Sequence, residues 1–489
     1  MRILYLDIDT LRPDHMGCYG YSRNTTPNLD RIAAEGFVFD NYYTSDAPCL
    51  PSRAALNSGR FGIHTGIVGH GGTAADRRIM GPGRDFQDQS ERDNLFYTLR
   101  QANFYTASIS SFAERHSAWW WNAGLNESYN VGQGGHESGE EVVPIALNWL
   151  DRNKERDNWF LHLHLWDPHT PYRAPADFGN PFADTPLHDN WITEDIFAQH
   201  FKQPGPHTAQ DLHGMHGNAN PHYPRYPGSL QNVADVKTFI DNYDTGILYA
   251  DTLLGQVIDR LKAQGIYDDT AIIISSDHGE NMGEMGLYAE HGTADEITCH
   301  IPMIVKWPGG AVGRDGGFRY NVDLIPTLAE LLGTAKSAKW DGESFAQRLM
   351  GSAEANPGRE SLVLSQQAHI CQRSARFGHW IYIRTIRDGW RLFDDEMLFN
   401  LKDDPREQFN VAKAHPDICA QGAKIILTWQ EDMMKTSDSD RDPMWTVYRE
   451  GGPHHAPVKL TEMYAQRLET SGREEAAEKL RIRYGLKGE

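Results

Sequence analysis

Three apolar runs in this chain end on acid or imidazole, and that arrangement restricts the fold more than any other feature. Residues 3–9 (ILYLDID), 159–166 (WFLHLHLW, before DPHTPY) and 271–276 (AIIISS, before DHGE) each read as a short buried strand. Helical patterns lie between them. After the first run, TTPNLDRIAAEG offers an N-cap at Thr26, Pro27 at the first helical position and Gly36 as a stop. Before the third, a long amphipathic segment carries Ile247, Leu254, Val257, Ile258 and Leu261 on one face and ends at Gly265. Alternation of this kind predicts an α/β fold with a large, mostly parallel sheet sandwiched by helices.

A chain of 489 residues exceeds what one core usually holds, so a second unit is expected. Beyond Gly358 the texture changes to short alternating segments such as HWIYIR and DGWRLFD, then to charged helical patterns. This divides the chain into a catalytic α/β domain, residues 1–357, and a smaller C-terminal α+β domain with an antiparallel sheet, residues 358–489. Residues 175–228 interrupt the first domain with many Pro, Gly, His and Asn, which reads as a lid-like insertion. Its histidines His207, His213, His216 and His222 fit a solvated loop and receive no catalytic role.

Apolar residues at 39% and charged residues at 23% describe an ordinary compact globular chain. The balance of 47 basic to 67 acidic residues, a net charge of −20, argues against a nucleic-acid or anionic-membrane surface, so an anionic substrate would need local positive charge. Five cysteines, odd in number and without a CxxC pair, indicate neither a disulfide framework nor a thiolate zinc site, and fit a reducing compartment. RILYLDID directly after Met1 leaves no space for a signal peptide, and no apolar stretch reaches membrane-spanning length, so the cytoplasm is expected.

The three strand ends supply Asp7 and Asp9, Asp167 and His169, and Asp277 and His278. Open α/β sheets gather ligands outside the carboxyl ends of their strands, which would bring these groups into one crevice. An Asp after a strand serves equally well as a cap for the next helix, but three such ends together point to a metal. Carboxylates with one imidazole suit a hard or borderline divalent cation, calcium first, with manganese or magnesium as alternatives. Asp7 and Asp9 point to one side of their strand, and Asp9, nearer its end, is the expected ligand.

The sharpest signal is APCLPSR, residues 47–53. Pro51 suits the first turn of a helix that Gly59 ends, which puts Cys49 at the helix N-terminus, where backbone donors favour negative charge, with Arg53 about one turn on. A given cysteine meets xPxR by chance roughly one time in four hundred.

CLPSR resembles the CxPSR signature of type I sulfatases, in the alkaline phosphatase superfamily, where this cysteine is oxidised to formylglycine by a formylglycine-generating enzyme. DTLRPDHMGCYGY, TTPNLDRIAAEG, DPHTPY, SSDHGE, PMIVKWPG and LFNLKDDPREQFNVA also look like sulfatase segments in the expected order, covering most of residues 1–410. The resemblance implies hydrolysis of a small-molecule sulfate ester with one divalent metal ion. It implies that Asp9, Asp277, His278 and hydrated formylglycine 49 bind the metal, and that Arg53 holds the formylglycine hydroxyl and the anion. His169 matches the histidine approaching the leaving group, and His291, in AEHGT, stands where sulfatases usually place a lysine and would serve as an acid.

Two departures bear on the substrate. Asp9 is followed by Thr10 where many sulfatases carry a second Asp, and the KxH pair that grips sulfate is replaced by Ser111 and Ala113. Arg115, His116 and His70 are the candidates to line the pocket instead. Both departures also occur in phosphonate monoester hydrolases, so hydrolysis of phosphonate monoesters or phosphodiesters by the same nucleophile is the second reading; an inactive metal-binding interaction protein of the same fold is the third. Trp119, Trp120 and Trp121 are expected to pack rather than stack on substrate, and Lys306 is expected to be structural.

Overall fold

The computed structural model describes residues 1–77, 92–214, 223–352 and 355–486. His216 and His222 lie outside the described residues. The first nine strands used below are β1 (Arg2–Ile8), β2 (Phe37–Phe39), β3 (Asp46–Ala47), β4 (Tyr105–Ile109), β5 (Glu127–Tyr129), β6 (Trp159–Leu165), β7 (Thr270–Ser275), β8 (Met303–Lys306) and β9 (Gly313–Asp315). All but β3 join in one sheet of order β9-β2-β8-β7-β1-β6-β4-β5. The pairings β1 with β6 and β7, and β4 with β5 and β6, are parallel. Only β8 runs against its neighbours β2 and β7, so the sheet is mixed but largely parallel, as expected.

Both faces of this sheet are buried, which explains why the strands read as continuous apolar runs. In β1, Leu4, Leu6 and Ile8 enter one core, packed under α4 (below), whereas Ile3 and Tyr5 enter a second core on the opposite face. Each such side chain contributes about 1.5–3 kcal/mol by leaving water. Strand β6 alternates in the same sense: Leu161, Leu163 and Leu165 join the first core, and Phe160 joins the second.

The helices that matter here are α1 (Pro27–Ala34), α2 (Cys49–Ser58), α3 (Gly139–Asn153), α4 (Val233–Ala263) and α5 (Pro416–Thr436). Pro27 opens α1 directly after Thr26, as the sequence predicts, although the Thr26 side chain makes no cap bond. Asn232 caps α4, whose apolar face includes Ile247, Leu254, Val257 and Leu261, and Gly265 follows with φ 68°. Helix α2 lies between the second core and a third: Leu50, Ala54 and Leu56 face the former and Ala55 the latter.

A five-stranded sheet of order β13-β12-β11-β10-β3 comprises β10 (Ser361–Gln366), β11 (Cys371–Phe377), β12 (Trp380–Arg387) and β13 (Glu396–Asn400), with α5 packed against it. The pairings among β10–β13 are antiparallel. HWIYIR falls in β12, but DGWRLFD is irregular: Trp390 and Leu392 hold positive φ values of 68° and 56°, which a ladder does not accept. The edge strand β3 comes from the residues just before Cys49 and pairs in parallel with β10, so the small sheet is joined to the start of α2.

Among its described residues, the insertion packs against the body of the fold: Phe197, Ala209, Leu212 and Tyr226 are buried in the first core, and Arg225 ties the segment to the carbonyls of Ala174, Pro175 and Gly179. Among the described residues, no helix is long and apolar enough to cross a membrane.

Candidate active site

Helix α2 presents Cys49 in its first turn and Arg53 one turn on, both buried. Gly59, at φ 65°, ends the helix with its N–H on the Ala55 carbonyl. The sulfur of Cys49 lies 3.0 Å from His278 Nε2. A helix N-terminus alone would favour a thiolate. Here burial, reinforced by Asp9 and Asp277, pushes the thiol well above its usual range, so Cys49 is held as a neutral thiol.

Parallel pairing of β1 with β6 and β7 sets Asp7 beside His164 and Ser275 and brings Asp9 to the Leu165 carbonyl, 2.9 Å from its N–H. Asp7 and Asp9 then divide their work. Asp7 accepts from Arg53 Nε at 3.0 Å and Nη2 at 3.2 Å, a side-on pair, and lies 3.2 Å from His162 Nε2. Asp9 Oδ2 lies 3.1 Å from Arg53 Nη1, and its other oxygen, Oδ1, is buried without a hydrogen-bond partner. Burial opposes ionisation of Asp9, but Arg53 and His169 outweigh it and hold the carboxyl well below the usual range. Arg53 Nη1 also donates to Asp277 Oδ2 at 2.5 Å, and Nη2 lies 2.7 Å from His164 Nε2.

One ligand atom from each of Asp9, Cys49, Asp277 and His278 lies within 4.8 Å of the others. Two carboxylates and an imidazole would suit a hard divalent cation, and the unpartnered Asp9 Oδ1 is the kind of buried acceptor such an ion satisfies, so these residues fit the group. Thr10, where a further Asp is absent, adopts φ 58°. Its N–H donates to Asp277 Oδ1 at 3.3 Å and its carbonyl accepts from Tyr243 at 2.6 Å, which holds this left-handed turn in place.

A second group of the same size joins Cys49 and His278 to His169 and His291. The His278 and His291 rings stack with centroids 4.5 Å apart, and His169 is 5.1 Å from His291. Burial lowers the pKa of all three, which favours neutral imidazoles. His291 Nδ1 is 3.5 Å from Glu280 Oε2, and burial pushes Glu280 up to about 8.

Not every strand-end acid belongs here. Asp167 accepts from the Gly139 N–H at 2.9 Å and thereby caps α3, and burial raises it to about 6. Ser111 accepts from Trp166 Nε1 at 3.0 Å and Ala113 is buried in the second core. Arg115 lies over the Trp166 ring at 5.0 Å, and Arg173 lies over the same ring at 5.9 Å. His70 and His116 sit one layer out, 5.0 Å from each other, and are linked to His291 through His369. Trp121 is buried against Phe96 and Phe112, whereas Trp119 is exposed. Lys306 donates to the Tyr267 carbonyl at 3.1 Å, away from the site.

Sequence reasoning missed several groups. His162 and His164 are signalled only by an alternation in WFLHLHLW that puts imidazoles on the Asp7 side of β6. Arg173, Glu280, Glu290 and His369 carry no local signal. His207, assigned to a solvated loop, instead lies 2.6 Å from Glu290 Oε2.

A family model described as Sulfatase matches residues 2–334. Similar curated proteins include the choline-sulfatase of Rhizobium meliloti, 26% identical over 435 residues that cover 79% of this chain and 77% of that protein. Another is the N-acetylglucosamine-6-O-sulfatase of Bacteroides thetaiotaomicron, 22% identical with 92% and 89% covered. Among solved structures, the phosphonate monoester hydrolase of Agrobacterium radiobacter superposes with a TM-score of 0.68 at 19% identity, covering 88% of this chain and 96% of that one. A protein solved with its substrate D-glucosamine-2-N,6-O-disulfate gives the same TM-score and identity, with 91% and 99% covered. The matched segment takes in both of the ligand groups above, and the chain belongs to the sulfatase family of sulfuric ester hydrolases.

Proposed function

We propose that this protein hydrolyses the sulfate ester of a small molecule through formylglycine generated from Cys49, with Asp9, Asp277, His278 and residue 49 holding one divalent cation, calcium being the expected ion. The observation that carries this reading is Cys49 itself. A buried thiol raised by Asp9 and Asp277 is a poor nucleophile, whereas a hydrated aldehyde at the same place offers two hydroxyls. A cation bound there would supply Lewis-acid stabilisation of negative charge at residue 49 and at the ester.

As one hydroxyl of the hydrate attacks sulfur in line, its proton passes to a neutral imidazole, His169 or His291, which gives that proton to the ester oxygen as the bond from sulfur to that oxygen breaks. The second hydroxyl then gives its proton to the imidazole, the carbonyl re-forms, and the bond from carbon to the sulfate oxygen breaks, so sulfate leaves without water attacking the covalent ester. Water re-hydrates the aldehyde. Arg53 orients the attacking oxygen from a position fixed by Asp7, and Arg115 and Arg173 supply the local positive charge that an anion needs in a chain of net charge −20.

Because Cys49 is only 2% exposed, the formylglycine-generating enzyme must act before α2 is packed. The five cysteines, all unpaired, support a reducing compartment, the cytoplasm. Phosphonate monoesters or phosphodiesters are the second reading, supported by Ser111 and Ala113, neither of which brings the charge that a lysine and histidine would give there. Mass spectrometry of the peptide containing residue 49 tests the nucleophile: loss of sulfur and gain of an aldehyde is expected, and a retained thiol in active enzyme overturns it. Rates on an aryl sulfate and an aryl phosphonate decide between the substrates, and a strong preference for the phosphonate reverses the order of the two readings.

A further inference from the structure

A second cluster of imidazoles, outside the four-residue group around Cys49, has the composition of a different kind of metal site. One ring nitrogen from each of His70, His369 and His455 lies within 4.8 Å of one from each of the others. His70 Nδ1 and His455 Nε2 are 3.0 Å apart. The His369 and His455 rings stack at 4.1 Å, and His70 lies 5.2 Å from His455 and 6.0 Å from His369. Nitrogens bound 2.0–2.1 Å from a tetrahedral zinc stand about 3.3 Å apart, so closing this group takes only small side-chain movement.

Two further observations point to a ligand. His369 is buried, and its Nε2 has no hydrogen-bond partner. On the other side of the ring, His369 Nδ1 lies 3.1 Å from Glu290 Oε1, and the second oxygen of Glu290 is held by Arg391 and His207. A carboxylate on the far nitrogen fixes the tautomer that leaves Nε2 free to bind a metal. The loops are tied as well: the His455 N–H donates to the Ala368 carbonyl at 3.1 Å, and the His369 N–H to Gln366 Oε1 at 3.3 Å. His455 is exposed, which leaves an entry path.

We propose that His70, His369 and His455 form a second metal site that takes a borderline divalent cation of the zinc type, with the fourth position open to water or to a donor atom of the substrate. Three imidazoles without a ligating carboxylate select zinc, cobalt or nickel over calcium or magnesium, the reverse of the preference at Asp9 and Asp277. The two sites are linked through His369, whose ring lies 5.5 Å from that of His291. The second site does not depend on the state of residue 49.

The test uses the untagged full-length protein, stripped by chelator and dialysed against excess calcium, then titrated with cobalt(II) or zinc and assayed by visible absorption and by metal content. One equivalent of cobalt or zinc retained in excess calcium is expected, with the absorption of a tetrahedral cobalt centre. His455→Ala and His369→Ala, each checked for folding by circular dichroism, should weaken that retention at least tenfold, while Cys49→Ala keeps it. No retained equivalent in excess calcium overturns the proposal. Retention unchanged in both histidine variants, or lost in Cys49→Ala, overturns it as well.

Discussion

Asp7 and Asp9, at the end of β1, give a sharp test, because both pair with Arg53 but only Asp9 keeps an oxygen without a hydrogen-bond partner. Asp7 holds Arg53 side-on and stands outside the proposed metal-ligating group, whereas Asp9 belongs to that group and keeps one oxygen unpartnered. Replacing Asp7 by Asn leaves a buried guanidinium with less countercharge. Breaking a buried pair costs 3–5 kcal/mol, and the remaining bonds of Arg53 to Asp9 and Asp277 place Asp7→Asn near the lower end, about 3 kcal/mol. At about 2 °C per kcal/mol for a large chain, the melting temperature falls by about 6 °C. Calcium at a hundred times its Kd stabilises the native state by about 2.7 kcal/mol, which raises the melting temperature by about 5 °C. Thermal melts with and without calcium should show Asp7→Asn starting lower yet keeping that increment, with turnover reduced about 10²-fold because Arg53 is misplaced. Asp9→Asn should lose most of the increment. If Asp9→Asn keeps it and Asp7→Asn loses it, the division of labour drawn from the hydrogen bonds is wrong.

His291→Ala should slow hydrolysis of an alkyl sulfate by about 10²–10⁴-fold and of a nitrophenyl sulfate far less, since a nitrophenolate leaves without a proton; equal losses on both esters would remove His291 from proton donation. The same comparison on His169→Ala tells which imidazole serves the leaving group. Asp46, in β3, is buried and accepts from the Gly62 N–H at 2.8 Å and from Ser45, yet burial still pushes it up to about 6. A carboxyl whose folded pKa exceeds its unfolded value of about 3.9 stabilises fully below pH 4, and that contribution, about 3 kcal/mol for two pKa units, is lost as pH rises through 6. Asp46→Asn should flatten the fall in melting temperature between pH 4 and pH 7, and an unchanged slope would assign the titration elsewhere.

What could be read from the sequence follows from how each group is placed. Asp9, Asp277 and His278 were legible because a parallel sheet brings the carboxyl ends of its central strands together whatever the loops do, and Cys49 and Arg53 because a single helix carries both. Asp167 shows the limit of that rule: it also follows a strand, but the N-terminus of α3 passes within reach and takes the carboxylate as a cap, which only the packing of α3 decides. The solvated-loop reading of His207 fails for a related reason, since Pro, Gly and His say that a segment is irregular and not whether a neighbouring core has room for its Phe197, Leu212 and Tyr226. The imidazole layer beyond His291 was hidden most completely. Its histidines come from a loop after α2, from the turn between β10 and β11, and from a segment after α5, so no spacing links them. They meet because β3 adds to the small sheet and draws the start of α2 against it, a pairing of only two residues in register. The same contact that positions Cys49 therefore also brings His369 and His455 to His70, so disrupting the β3–β10 pairing should disturb both sites together, although His369 and His455 lie far from Cys49 along the chain.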